Sequence, residues 1–280
     1  MQDTKVACLI CARNEERYIT KTLDVLFQQQ HPPSLVVVVD DGSTDATPRI
    51  LQEYQRKESR LHIIYRKNRG FSALGTFLMA YTYNSGFKYI QQQDYDFVLI
   101  IGADTILPPS YIKSLLEKFR EDNQLGLISG INPGQPRSKL HAAGAGRMIR
   151  APIFRAMNLL PIIYGWESYE EVFTFACGYK VRNFPEIPFE VQRLGGAGHS
   201  RSYYGWGKGM RELGYPFLYT LARVVSNARK GLWKRALFMW RGYTSKTKIP
   251  PEIRPVRQYW NQYLRWYFSR LPFYILRIYK

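Results

Sequence analysis

Two adjacent carboxylates, Asp40 and Asp41, follow the run Val36-Val37-Val38-Val39 and lead directly into Gly42-Ser43-Thr44-Asp45. Four β-branched residues in a row predict a parallel strand covered on both faces. Open α/β sheets bind ligands in the crevice beyond the carboxyl ends of such strands. Acidic side chains in that crevice suit the N–H of a base, ribose hydroxyls or a metal better than a bare phosphate. The arrangement recurs along the chain. Val6–Cys11 empties into Ala12-Arg13-Asn14-Glu15-Glu16, and Phe97–Ile101 ends at Gly102-Ala103-Asp104-Thr105. Acids gathered at successive strand ends point to a site that reads a nucleotide.

The elements that position these groups follow from periodicity. Between the acidic strand ends, Leu61–Tyr65 predicts a further strand, leading into Arg66-Lys67-Asn68-Arg69-Gly70. Helical patterns fall over Ile19–Gln29, about Thr47–Arg56 with Ser43, Thr44 or Asp45 as cap, and Ser72–Ser85. Alternation of strand and helix predicts a doubly wound α/β domain.

Strand plus Ala-Arg-Asn-Glu-Glu, strand plus Asp-Asp-Gly-Ser-Thr-Asp, Asn68-x-Gly70, then Ala103-Asp104-Thr105 with Pro108-Pro109 resembles the family-2 inverting glycosyltransferases over residues 5–200. The resemblance implies a GT-A fold, a Rossmann-like mixed sheet, and a nucleoside-diphosphate-sugar donor, with UDP-sugars the default. It implies a nucleotide pocket bordered by Ala12, Asn14, Glu15, Asp40, Asp41, Asn68, Gly70, Ala103 and Asp104. Asp104 matches the second acid of an Asp-x-Asp motif and would hold Mg²⁺ or Mn²⁺ against the diphosphate. The first acid of that motif is replaced by Gly102. Magnesium keeps several waters and leans on phosphate oxygens, so one carboxylate is compatible with a working site.

On the same alignment Glu167, in Gly165-Trp166-Glu167-Ser168, is the catalytic base that takes the acceptor proton. Glu170 and Glu171 compete for that role and otherwise read as a solvated helix face. Helical spacing would let Glu167 and Glu171 share one face. His199 and Arg201 lie in the glycine-rich Gly195–Arg201 segment, either as parts of a lid over the diphosphate or as incidental surface residues. Cys8-x-x-Cys11 has metal or redox spacing, yet it sits inside a predicted buried strand. The only other cysteine is Cys177, so the pair reads as buried reduced thiols.

Charge divides the chain. Of the net +18, residues 201–280 supply 17 Lys and Arg against two acids, leaving the first 200 residues nearly neutral. Domains are therefore expected at 1–200, catalytic, and 201–280, a basic and aromatic-rich helical region. Ala228–Tyr243 and Arg257–Lys280 read as amphipathic helices, the second kinked at Pro272. Trp and Tyr among Lys and Arg suit an anionic membrane surface, and no apolar run is long enough to span a bilayer. The expected partners are a nucleotide-sugar donor, a lipid-linked (polyprenyl) or glycan acceptor, and the membrane, with no nucleic acid. The expected location is the cytoplasmic face of the cell membrane, since there is no secretory signal and no disulfide framework. A catalytically inactive membrane scaffold and a nucleic-acid-binding protein are the alternatives.

Overall fold

The four valines sit in β2 (Leu35–Asp40), between β1 (Val6–Ala12) and β3 (Leu61–Tyr65), and all four are fully buried. A computed structural model describes residues 4–133, 142–193, 200–247 and 249–260, apart from the side chains of residues 200–202. These residues divide into two compact units. The first holds the residues up to 74, 78–160 and 177–193; the second holds 75–77, 161–176 and the described residues from 200 onwards.

The first unit is built on a seven-stranded mixed sheet. It contains β4 (Phe97–Gly102), β6 (Leu125–Ile131), β7 (Arg147–Arg150) and β8 (Lys180–Pro188), ordered β3-β2-β1-β4-β7-β6-β8. β3, β2, β1 and β4 run parallel, whereas β7 is antiparallel to both its neighbours. Register aligns Ala12 with Asp40, Asp40 with Tyr65, and Cys11 with Gly102. Adjacent strands therefore end at one level, and the acids beyond them share one edge of the sheet. A short ribbon pairs β5 (Thr105–Ile106) with β9 (Glu190–Val191) antiparallel.

Helices α1 (Ile19–Phe27), α2 (Thr47–Lys57), α3 (Met79–Ile90), α4 (Tyr111–Glu121) and α5 (Ala151–Met157) complete this unit. One core joins β1, β2 and β4 to Leu23, Leu26, Leu51, Ile112 and Leu115 of the helices. The cap position of α2 is taken by Ala46 and not by Ser43, Thr44 or Asp45, although Asp45 Oδ1, just before it, accepts the Thr47 N–H at 2.9 Å. The third helix begins seven residues later than its sequence pattern suggests. Gly75 takes φ +73°, which interrupts the helix, and burial of Ala80, Phe87 and Ile90 sets the helical segment instead. Cys8 is buried as expected, Cys11 is partly exposed and Cys177 is exposed.

The second unit is helical: α6 (Trp166–Ala176), α7 (Ser200–Glu212), α8 (Phe217–Arg229), α9 (Trp233–Thr244), a 3₁₀ turn at Pro251–Ile253 and helical backbone over 254–260. α7 and α9 cross backbone against backbone. A Cβ on Gly207 would overlap the Met239 carbonyl, and one on Gly242 the Tyr204 carbonyl. Met210, Met239 and Tyr243 form the small core of this crossing. Tyr243 Oη donates to the Tyr215 carbonyl at 2.8 Å. Buried Glu212 accepts from the Tyr164 N–H at 2.8 Å, and burial raises its pKa. The expected continuous helix over Ala228–Tyr243 is broken at Gly231, whose φ of +75° turns α8 into α9. Of the expected Arg257–Lys280 helix, residues 261–280 lie outside the described residues. Among the described residues no helix is long and apolar enough to cross a membrane.

Candidate functional site

The loops after β1 and β2 are locked together by polar contacts before any ligand is considered. Arg13 donates to the carbonyls of Asp41 and Gly42 and, at 2.8 Å, to Asn68 Oδ1. Asn14, at φ +55°, gives its N–H to Ser43 Oγ at 2.9 Å, and its Oδ1 accepts the Thr44 N–H at 2.8 Å. Glu16 Oε2 accepts the Ala46 N–H, and the Glu16 N–H donates to Asp45 Oδ2. Gly42 is at φ +74°, and a Cβ there would overlap Asn68 Cα. Only glycine lets the two loops approach this closely.

Within that frame the acids take distinct roles. Asp40 turns inward, its Oδ1 accepting the Ser43 N–H at 2.9 Å, and thereby shapes the turn. Asp41 is 3% exposed and paired with Arg66 and Arg69 from the loop after β3. Its Oδ1 lies 3.2 Å from Arg66 Nε yet accepts no hydrogen bond, so it retains acceptor capacity for a base N–H. Asn68 Oδ1 also accepts the Gly70 N–H, at 2.8 Å, and Gly70 turns the chain at φ +77°. Ala12 and Ala103 are buried at the ends of β1 and β4; the Ala12 carbonyl accepts the Asp41 N–H and the Ala103 carbonyl accepts Thr22 Oγ1–H.

Glu15 and Asp104 are joined by a residue the sequence did not single out. Arg193 Nη2 donates to Glu15 Oε1 at 2.8 Å, and its Nε lies 3.4 Å from Asp104 Oδ2. Pairing of β9 with β5 and the bond from Gln192 N–H to the Asp104 carbonyl, 2.8 Å, bring Arg193 there. Burial pushes the pKa of both Glu15 and Asp104 up, and the guanidinium opposes this in each. Glu15 Oε2 is buried and accepts no hydrogen bond. No local pattern marks Arg193; its only sequence signal is that it lies two residues before the glycine-rich segment, with Leu194 between.

The hard carboxylate oxygens of Asp104, with Glu15 beside them, fit Mg²⁺ or Mn²⁺ carried in on a diphosphate. They do not form an all-protein cage: among the described residues no three His, Cys, Asp or Glu could hold an ion. At Gly102 a Cβ would stand 2.8 Å from Asp104 Oδ1, so Asp104 occupies the room a neighbouring side chain would need.

The other candidates lie in the second unit or outside the described residues. Glu167 is exposed on the first turn of α6. Glu170 and Glu171 are buried, so the solvated face expected for them is not present and Glu171 does not share the exposed face of Glu167. Tyr215 sits against this helix, hydrogen-bonded to Ser168 and close to Glu171. His199 lies outside the described residues. Arg201 is in the first turn of α7, its side chain also outside them.

Comparison with known proteins bears on this arrangement directly. Residues 7–142 match the profile of Glycosyl transferase family 2. Glycosyltransferase GlyA of Streptococcus pneumoniae is 24% identical over 203 residues, 70% of this chain and 27% of that protein. The chain spans between 27% and 33% of the length of the most similar curated relatives. Among solved structures, the mannosyltransferase PcManGT from Pyrobaculum calidifontis, in complex with GDP-Man and Mn²⁺, superposes with a TM-score of 0.59 at 16% identity, covering 91% of this chain and 68% of that one. S. aureus TarS 1-349 in complex with UDP-GlcNAc gives 0.58 at 18% identity, covering 91% and 78%. These likenesses agree on the architecture of the sheet and its flanking helices. Residues 7–142 carry a family 2 glycosyl transferase domain, and the sheet with its flanking helices has the GT-A fold.

Proposed function

We propose that this chain transfers a sugar from a nucleoside-diphosphate sugar, a UDP-sugar by preference, to an acceptor hydroxyl with inversion at the anomeric carbon. The observation that carries the reading is the placement of Glu15, Asp41 and Asp104 beyond adjacent strand ends, with Glu15 and Asp41 buried, Asp104 partly buried, and the first two each keeping an acceptor oxygen without a hydrogen bond. Complexes of structural neighbours with UDP-GlcNAc and with GDP-Man and Mn²⁺ support a nucleotide-sugar donor.

In this reading Asp41 Oδ1 accepts a base N–H, while Arg66 and Arg69 hold its carboxylate in place. Glu15 takes a ribose hydroxyl on its free oxygen. Asp104 would hold Mg²⁺ or Mn²⁺ carried in on the diphosphate. The ion, when bound, stabilises the departing nucleoside diphosphate as a Lewis acid. Arg193, freed from the acids, offers a guanidinium to the diphosphate. Glu167 removes the proton from the acceptor hydroxyl as it attacks, so one displacement inverts the centre.

The acceptor is a glycan or a lipid-linked (polyprenyl) glycan, reached from an anionic membrane surface on which the basic helical unit rests. The residues from 201 onward, with 17 Lys and Arg against two acids, support that setting. Two variants test the chemistry. Asp104→Asn loses metal-dependent UDP binding. Glu167→Gln keeps UDP binding and loses transfer by about a hundredfold or more. Transfer at the wild-type rate by Glu167→Gln would remove the base assignment. Metal-dependent UDP binding without any transfer or donor hydrolysis would favour an inactive scaffold.

A further inference from the structure

We propose that the end of the α8–α9 hairpin, Arg229 to Lys234 with Leu237 one turn on, is the element that enters the headgroup layer of an anionic lipid bilayer. The proposal rests on the membrane-facing part of the reading above and names the residues that would make the contact.

The hairpin is unusual in what it leaves uncovered. α8 runs for 13 residues with Thr220 as its one buried residue, and it exposes Leu218 and Val225. At the turn, Leu232 is exposed and Trp233 is 69% exposed. Leu237, four residues on and therefore on the same face of α9 as Trp233, is 52% exposed. A large apolar set at a helical turn has no function in water.

Charge identifies what covers it. Between Glu212 and Glu252 there is no acidic residue, while Arg223, Arg229, Lys230, Lys234, Arg235, Arg241, Lys246 and Lys248 lie in that interval. Arg235 is packed over Trp206, 4.8 Å from its ring, and is already engaged. Arg229, Lys230 and Lys234 flank the exposed Leu-Trp pair directly and are themselves exposed. Trp beside aliphatic residues and flanked by Lys and Arg matches the interfacial layer of a bilayer with anionic headgroups. Leu232, Leu237 and Val225 have nothing to contribute to stacking on bases, which disfavours a nucleic-acid surface.

The turn is also built to enter a poorly hydrated layer. Lys230, Gly231 and Leu232 donate their N–H groups to the carbonyls of Ser226, Ala228 and Asn227 at 3.2, 2.9 and 2.9 Å. Three of the last four carbonyls of α8 are thereby satisfied within the hairpin, so shallow insertion strips less water from bare backbone.

Co-sedimentation of the full chain with extruded vesicles tests this. Wild type should pellet with mixed phosphatidylglycerol–phosphatidylcholine vesicles, lose that binding as salt is raised, and ignore pure phosphatidylcholine. Leu232→Ser combined with Trp233→Ser should weaken partitioning about tenfold, since apolar area at the interface is lost. Lys230→Glu combined with Lys234→Glu should weaken it at least as much. Leu74→Ser, at an exposed leucine of the first unit, should leave it unchanged, and circular dichroism should show all variants folded. Undiminished pelleting by both hairpin variants would overturn the proposal while leaving a membrane-facing role to other residues. A wild type that ignores anionic vesicles would overturn both. UDP stabilisation measured on the same samples reports on the donor reading separately.

Discussion

At the carboxyl edge of the sheet, position is set by polar side chains tied to one another; in the helical unit it is set by the removal of side chains. Arg13, Asn14, Ser43, Asp45 and Asn68 fix the acid-bearing loops through hydrogen bonds of 2.8 to 2.9 Å. Gly207 and Gly242 fix the α7–α9 crossing by letting backbone meet backbone. The first design holds a charged cluster in which Glu15 Oε2 and Asp41 Oδ1 accept no hydrogen bond. The second creates a small core that leaves much of α8 and the start of α9 open to solvent. A buried polar network is costly when half satisfied, and in the proposed reading the nucleotide sugar completes it.

The contrast can be broken most severely at the crossing. Gly207→Ala forces α7 and α9 apart and should cost about 3 kcal/mol in urea unfolding, at the upper end for overpacking. At the sheet edge Gly42→Ala combines positive φ with overlap on Asn68. It should cost about 2 kcal/mol and abolish UDP binding, because both loops must shift. A Gly42→Ala chain that binds UDP normally would show the loop network to be dispensable.

Arg193→Gln probes the charge balance with a smaller effect. Arg193 is well exposed, so its loss should cost only about 1 kcal/mol in urea unfolding. Freed of the competing guanidinium, Glu15 and Asp104 should let Mn²⁺ alone raise the Tm more in the variant than in wild type. The smallest effect is expected at the solvent-exposed pair of Lys5 and Asp94, 2.5 Å apart on the periphery of the sheet. Lys5→Ala should leave both Tm and UDP binding unchanged.

Much of the first design was legible in the residues. Val36–Val39 could hardly be other than a buried strand, and the register that aligns Ala12, Asp40 and Gly102 follows from parallel strands ending in short turns. Arg193 was hidden because the β5–β9 pairing that delivers it joins segments some 85 residues apart, and local periodicity carries no trace of that closure. The burial of Glu170 and Glu171 was hidden for a similar reason, since a carboxylate reads as solvated until its neighbours are known. Gly207 and Gly242 mislead in the opposite direction. Helix propensity counts glycine against a helix, whereas here its missing side chain is what allows the helices to cross. The turn at Gly231 divides what periodicity alone reads as one helix, because a left-handed residue ends a helix without disturbing its apolar spacing.

The donor site is the central claim, and a thermal-shift series tests it most directly: UDP, GDP, CDP and dTDP, each with and without Mn²⁺. Native-state binding raises apparent stability by mass action. The site geometry predicts that UDP raises Tm and does so only with Mn²⁺, with Asp104→Asn abolishing the response. No stabilisation by any nucleotide, with or without the ion, would contradict the reading of Glu15, Asp41 and Asp104 as a nucleotide-sugar site.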